Sequence, residues 1–367
     1  MIIKSLNALG VFGGASLNSV ELALINTDGL DVKEFIKSQI FGYPEELCLD
    51  LRGLINKHSW TFDELENSEQ VQNVRDKISM FYVDCIKEFI ADEKVDYIGV
   101  DGLTIFNDAK NKCSYQLEDG HIFVKNLQCP VITHFHKADL LTGGQASPLV
   151  PPFVNYLVRA EEKPLLFIDM EAVSSLIYVN ENGEITAFDC APGLAMIEDW
   201  TFRHANMLTD YNGGLGIIGR PDQQIIEFLL KQKILQKQPP KSMDILDFSA
   251  KKEHLEGLSL ENGAASATAF IAEAIYQAAL DFLPAIPHNI IMGGEGIKNP
   301  TLCRFIKQNF APREVKEIST ITKFSKAIGA QATAFNTVRR IYGLPITFPK
   351  TTGVNEPITG GEIYENC

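Results

Sequence analysis

One layout occurs twice in this chain, and it constrains the fold more than any other feature. "GVFGGASLNSVELALINTDG" runs from an apolar strand through a polar turn at Gly13 and Gly14 into an alternating strand closed by Asp28 and Gly29. From Lys163 onward, "PLLFIDMEAVSSLIYVNENGEITAF" has the same plan: strand, turn, alternating strand, then an Asn-Gly hairpin signal at Asn182 and Gly183. Two such units point to duplicated α/β halves. Identity between the copies is too low to prove this by itself, and two unrelated hairpins in an α/β protein are the alternative.

The rest of the chain supplies the helices. "VQNVRDKISMFYVDCIKEFIADEK" spaces its apolar residues three and four apart, which predicts a long amphipathic helix. "VDYIGVDG" follows as a buried strand ending at Gly102, and helix followed by buried strand is an α/β signature. After Gly193 the period is helical through "AMIEDWTFRHANML", "DQQIIEFLLKQKIL" and "AASATAFIAEAIYQAALDFL". A strand, "HNIIMGG", then enters a glycine turn and the helix "NPTLCRFIKQNF". The helix "KAIGAQATAFNTVRRIYG" stops at Gly343 before Pro345, and the tail "TTGVNEPITGGEIY" reads as extended.

At 367 residues the chain has room for two domains of ordinary size. A net charge of −14 opposes a sequence-independent grip on nucleic acid. Seven cysteines without a C-x-x-C pair fit a reduced compartment and oppose structural zinc. No apolar run reaches membrane-spanning length. The opening "MIIKSLNALGVFGG" is superficially signal-like, but Asn7 and Gly10 break it and it continues into strand sequence. The expected location is the cytoplasm.

Several places carry residues suited to chemistry. In "AFDCAPGLAMIEDW", Asp189 ends an alternating strand before a turn through Pro192 and Gly193 into a helix. A carboxylate there could deprotonate a water or hydroxyl for phosphoryl chemistry beside the N–H groups of the helix start. It could equally cap that helix. In "KADLLTGGQASPLVPPF", Asp139 and Gln145 flank a glycine pair and could bind sugar hydroxyls, or the segment is a structural loop. "IIMGGEGIKNP" suits the ribose or base end of a nucleotide. Lys241 in "QPPKSMD" could neutralise phosphate or stand solvated. His134 and His136 have the i, i+2 spacing of a strand face but no matching ligands, so no metal-ligating residue is assigned.

Taken in order, these segments resemble the anhydro-N-acetylmuramic acid kinase family over essentially the full length. "GGQASPLVP" is close to the family's Gly-Gly-Gln-Gly-Ala-Pro-Leu-Val-Pro, and "FDCAPG" to its Phe-Asp-x-Gly-Pro-Gly. "PPKS", the "GG" before "NP", and "GLP…TG…GEIY" fall in register as well. The resemblance implies an α/β fold of duplicated actin-like ATPase (ribonuclease H-like) domains around a central cleft. Residues 1–135 with 350–367 are expected as the first lobe and 136–349 as the second. It implies ATP and Mg²⁺, a small-molecule amino sugar, and the homodimer common in the family. In that family water opens the anhydro bond of 1,6-anhydro-N-acetylmuramic acid while the γ-phosphoryl group passes to the sugar. The water-activating aspartate falls on Asp189, the phosphate hairpin on Gly13, Gly14, Ala15, Ser16 and Asn18, and the adenosine turn on Gly293 and Gly294. Asp139, Gln145 and Asp210 fall in the substrate-binding segments.

This chain also departs from the family pattern. The first loop, Ser-Gly-Thr-Ser-Leu-Asp-Gly in the family, is "GGASLNS", with Ala15 for Thr and Asn18 for Asp, and Asn has no net charge for a hard cation. The family's Ser-His-Gly-Gln-Thr is "VDGLT" and its Asn-Ile-Gly-Gly is "FIDM", which places Asp101 and Asp169 at new positions. A late-helix sugar-contacting Glu aligns with Gly329, and Asp-x-Asp-Gly is "DYNG", with Asp210 kept. Phosphoryl transfer depends on positioning and charge neutralisation. Two functions therefore stand: a divergent ATP-dependent sugar kinase of peptidoglycan recycling, or a pseudokinase that binds a sugar or partner. A kinase moved to another substrate, with Asp101 or Asp169 supplying the lost carboxylate, is a third.

Overall fold

The computed structural model describes residues 4–55, 60–245, 247–248 and 254–365; the start of the expected first strand, at residues 1–3, and Cys367 lie outside them. Its strands are β1 (Leu6–Phe12), β2 (Ser19–Thr27), β3 (Val32–Gly42), β4 (Tyr97–Asp101), β5 (Thr104–Asp108), β6 (Cys113–Gln116), β7 (Val131–Thr133), β8 (Leu165–Met170), β9 (Ser174–Val179), β10 (Ile185–Ala191), β11 (Asn289–Gly293), β12 (Val315–Glu317) and β13 (Glu362–Tyr364). Among the described residues no helix is long and apolar enough to cross a membrane.

Two compact units form: Met1–Tyr156 with Lys326–Cys367, and Leu157–Ser325. The first holds a sheet ordered β13-β7-β4-β1-β2-β3 and the second a sheet ordered β10-β9-β8-β11-β12. In each, the leading strand pairs antiparallel with the next, which pairs antiparallel with a third. On its other edge the leading strand pairs parallel with a fourth, and that with a fifth. Apart from the β5–β6 hairpin and the edge strand β13, both units thus share one order, 3-2-1-4-5, with the second strand antiparallel. This is the ribonuclease H-like half of an actin-like ATPase, present twice. The repeated layout of the sequence is a repeated topology.

The sequence produces these sheets for plain reasons. Every residue of β8, "LLFIDM", is buried, as a strand covered on both faces requires. Strand β3 lies at a sheet edge and has no buried residue, so its sequence mixes charge with apolar groups. Trp200, Phe188, Phe270 and Phe310 anchor the core of the second unit.

The units divide at different places from those expected. Residues 136–156 and 326–349, assigned from the sequence to the second lobe, pack with the first unit. The helix Ile328–Ile341 lies against β1, β2 and β4. It comes so near that a Cβ on Gly10 of β1 would lie 1.9 Å from the Ala330 carbonyl oxygen. The rings of Phe153 and Phe335 meet at a tilt of 56° with centroids 5.6 Å apart, and the Tyr156 hydroxyl donates to the Val32 carbonyl at 3.1 Å. These contacts join elements distant in sequence, where linear patterning carries no signal.

Candidate active site

In the second unit the strand register sets four residues in a row. Ser175 of β9 pairs with Asp189 on one side and Asp169 on the other, and Asp169 pairs in turn with Gly293 of β11. Asp189 is buried; its Oδ1 accepts from Ser175 Oγ at 2.7 Å and its Oδ2 from the Met243 amide at 2.9 Å. Asp189 does not cap the following helix, Leu194–Ala205: the N-cap is Gly193, without a side-chain cap bond. The amides of Leu194 and Ala195 donate instead to the carbonyls of Glu171 and Ala172. The helix start expected to attract phosphate is therefore engaged with the β8–β9 turn.

Asp169 has a different environment. It is buried, and its Oδ1 makes no hydrogen bond. Burial, then the charge of Asp189, pushes its carboxyl up to about 7. Sequence reading found each aspartate but not their adjacency, because a strand register across Ser175 joins them.

Gly293 and Gly294 form the expected turn after β11. Gly294 has φ +84°, and a Cβ there would lie 2.7 Å from the Met170 carbonyl and 2.9 Å from Glu171 Oε1. Glycine is thus required by the turn's packing on the end of β8.

Lys241 is neither solvated nor free for phosphate. It is fully buried, donates from Nζ to the Leu235 carbonyl at 2.6 Å, and lies 4.3 Å from the centroid of the Phe282 ring. Burial draws its ammonium down to about 8.

In the first unit, the residues expected as a phosphate hairpin form the β1–β2 turn. The Gly13 amide donates to the Asp101 carbonyl at 2.9 Å, the Ser16 amide to the Gly13 carbonyl at 3.2 Å, and the Asn18 amide to Ser16 Oγ at 3.3 Å. Gly14 and Ala15 form the turn's apex, with the Gly14 carbonyl accepting from the Thr104 amide at 2.8 Å. Asn18 Oδ1 accepts from Arg52 Nη2 at 2.8 Å, which sets a cation where a metal-binding oxygen was sought.

Beside this turn lies a polar cluster of which sequence reading named Asp101, His134 and His136 but not Gln116 or Glu118. Asp101 Oδ1 accepts from Gln116 Nε2 at 2.7 Å and lies 3.0 Å from His136 Nε2. Glu118 is buried, 3.5 Å from His134 Nδ1, and burial together with the charge of Asp101 raises its carboxyl well above the usual range. His134 and His136 follow β7 rather than forming a strand face, and each faces a carboxylate.

Two residues of the expected substrate-binding segments, Asp139 and Asp210, are hydrogen-bonded within the protein. Asp139 is buried; its Oδ1 accepts from the Ala146 amide at 2.8 Å and its Oδ2 from Thr352 Oγ1, which closes the loop holding Gly143 and Gly144. Asp210 accepts from the amides of Leu215 and Gly216 at 2.8 and 2.9 Å. Each carboxylate accepts from backbone amides of the segment that follows it, and Asp139 also from Thr352 near the C-terminus. Gln145 is half-buried, with its amide donating to the Thr352 carbonyl at 2.8 Å.

A family model described as anhydro-N-acetylmuramic acid kinase matches residues 6–366. The chain belongs to that family. The anhydro-N-acetylmuramic acid kinase of Paramagnetospirillum magneticum is 31% identical over 360 residues, covering 96% of this chain and 98% of that one. That of Methylobacterium nodulans is 32% identical over 374 residues, covering 97% and 99%. That of Acidiphilium cryptum is 32% identical over 361 residues, covering 98% of each.

The departures from the anhydro-N-acetylmuramic acid kinase pattern now have structural content. Gly329, aligned with the family's sugar-contacting Glu, faces the Phe12 ring, and a Cβ there would lie 2.2 Å from Cδ1. Asn18, at the family's Asp, is held by Arg52. Asp169, at a family glycine, stands one strand from Ser175 and two from the presumed base.

Proposed function

We propose that this chain is an ATP-dependent kinase that hydrolytically phosphorylates a 1,6-anhydro amino sugar, the family reaction in cell-wall peptidoglycan recycling. Asp189 carries this reading, because it is a buried strand-end carboxylate at the position of the family's base, oriented by two donors and not employed as a helix cap. Asp189 takes a proton from water, and the water oxygen attacks the anomeric carbon. The anhydro C–O bond breaks, and the released sugar oxygen takes the γ-phosphoryl group of ATP while ADP leaves. Gly14 and Ala15 would meet phosphate, and Gly293 and Gly294 the adenosine. The first loop does not fit Mg²⁺, since its family carboxylate is Asn18 and Arg52 is hydrogen-bonded to it.

A second reading, a pseudokinase that binds a sugar or a partner, is favoured by a specific observation. Phe12 fills the space at Gly329 where the family places a sugar-contacting Glu. Titration calorimetry with ATP, with and without Mg²⁺, separates the readings. Micromolar binding of ATP, about −8 kcal/mol, supports the kinase. No binding up to millimolar ATP overturns it.

A further inference from the structure

Asp169 and Asp189 sit in the same register on either side of Ser175, with strands spaced about 4.8 Å apart. Their surroundings are unequal. Asp189 accepts from the Ser175 hydroxyl and from the Met243 amide. Asp169 is 7% exposed, and its Oδ1 is buried with no hydrogen bond. A buried carboxylate anion without donors is costly, and the Asp189 anion, with one strand between and backbones about 10 Å apart, adds repulsion through the buried interior.

We propose that Asp169 and Asp189 act as one pair holding a single proton, resident on Asp169, so that Asp189 stays the anionic proton acceptor. Asp169 is then a positioning residue. Its neutral form also places no second negative charge beside the glycine turn at Gly293, to which it is paired. The base role of Asp189 rests on the function proposed above; the sharing of the proton does not.

The other titratable groups around the pair do not substitute for that proton. On β10, burial holds the Cys190 thiol protonated. Lys241, in residues 238–244, directs its ammonium at the Leu235 carbonyl, and the charges of Asp189 and of Asp281 in the helix Leu260–Phe282 both act on it. At the turn after β8, Glu171 Oε1 accepts from the Glu295 amide. On β9 the titratable side chain is Tyr178, three residues along from Ser175 and paired with Leu166 and Thr186 rather than with either aspartate.

The test is carboxyl-carbon NMR titration of the ligand-free full chain labelled at aspartate, from pH 4 to 9. The resonance missing in Asp169→Asn identifies that carboxyl. Its midpoint is expected near 7 in the wild type, and about one pH unit or more lower in Asp189→Asn. A wild-type midpoint below about 5 overturns the proposal, as does a midpoint that Asp189→Asn leaves in place. If Asp189→Asn does not fold, the wild-type Asp189 resonance decides. A second inflection at the Asp169 midpoint supports coupling, and a single-step curve overturns it. Because no turnover is measured, loss of the kinase reading leaves this result standing.

Discussion

The ring of Phe12 stands directly before Gly329, so close that a Cβ at 329 would lie 2.2 Å from Phe12 Cδ1. Gly329→Ala is therefore expected to destabilise the chain by about 1–3 kcal/mol through overpacking, although Ala is the better helix former. In a Phe12→Ala background the same change should be neutral or slightly stabilising. Urea unfolding of the four proteins of this double-mutant cycle measures the coupling.

Asp189→Asn removes the proton acceptor and also presents an amide N–H to either the Ser175 hydroxyl or the Met243 amide. Turnover should fall by about 10²–10⁴-fold, the usual contribution of a general base. Stability should fall by about 1–3 kcal/mol. Calorimetry on the folded variant should show nucleotide binding retained, so that a parallel loss of binding would argue against a role limited to the proton.

Asp169 makes stability depend on pH with a definite sign. Its carboxyl titrates near 7 in the folded chain, against about 3.9 when unfolded. The folded state therefore binds more protons across that window, and wild-type stability falls as pH rises through it. Asp169→Asn should match the wild type near pH 4 and exceed it above pH 7 by at most about 4 kcal/mol. Denaturant unfolding at both ends of the window checks this.

Lys241 has the opposite slope at higher pH. Its ammonium titrates at about 8 when folded, against about 10.4 when unfolded. The unfolded state binds more protons between these values, so stability rises with pH across them. Lys241→Met should abolish that rise, at a cost of about 1–3 kcal/mol for the Leu235 carbonyl left without its donor.

Much of the fold was legible because burial leaves a periodic trace. The apolar runs of β1 and β8 and the helices Glu69–Ile90 and Leu260–Phe282 follow from spacing alone. The segment read as one helix at "DQQIIEFLLKQKIL" is two, Gln223–Leu230 and Lys233–Gln236. Edge strand β3 has no buried face to impose a pattern. Asp189 was legible as a candidate, and the structure removes its alternative as a cap. The internal roles of Asp139 and Asp210 and the burial of Lys241 were not legible, because each depends on backbone groups that a linear pattern does not place.

The most direct test is phosphorus NMR of the purified chain with ATP, Mg²⁺ and 1,6-anhydro-N-acetylmuramic acid. The kinase reading predicts ADP and a sugar phosphate appearing in equal amounts, with Asp189→Asn suppressing both. ATP left intact, or ADP formed with inorganic phosphate and no sugar phosphate, would contradict it.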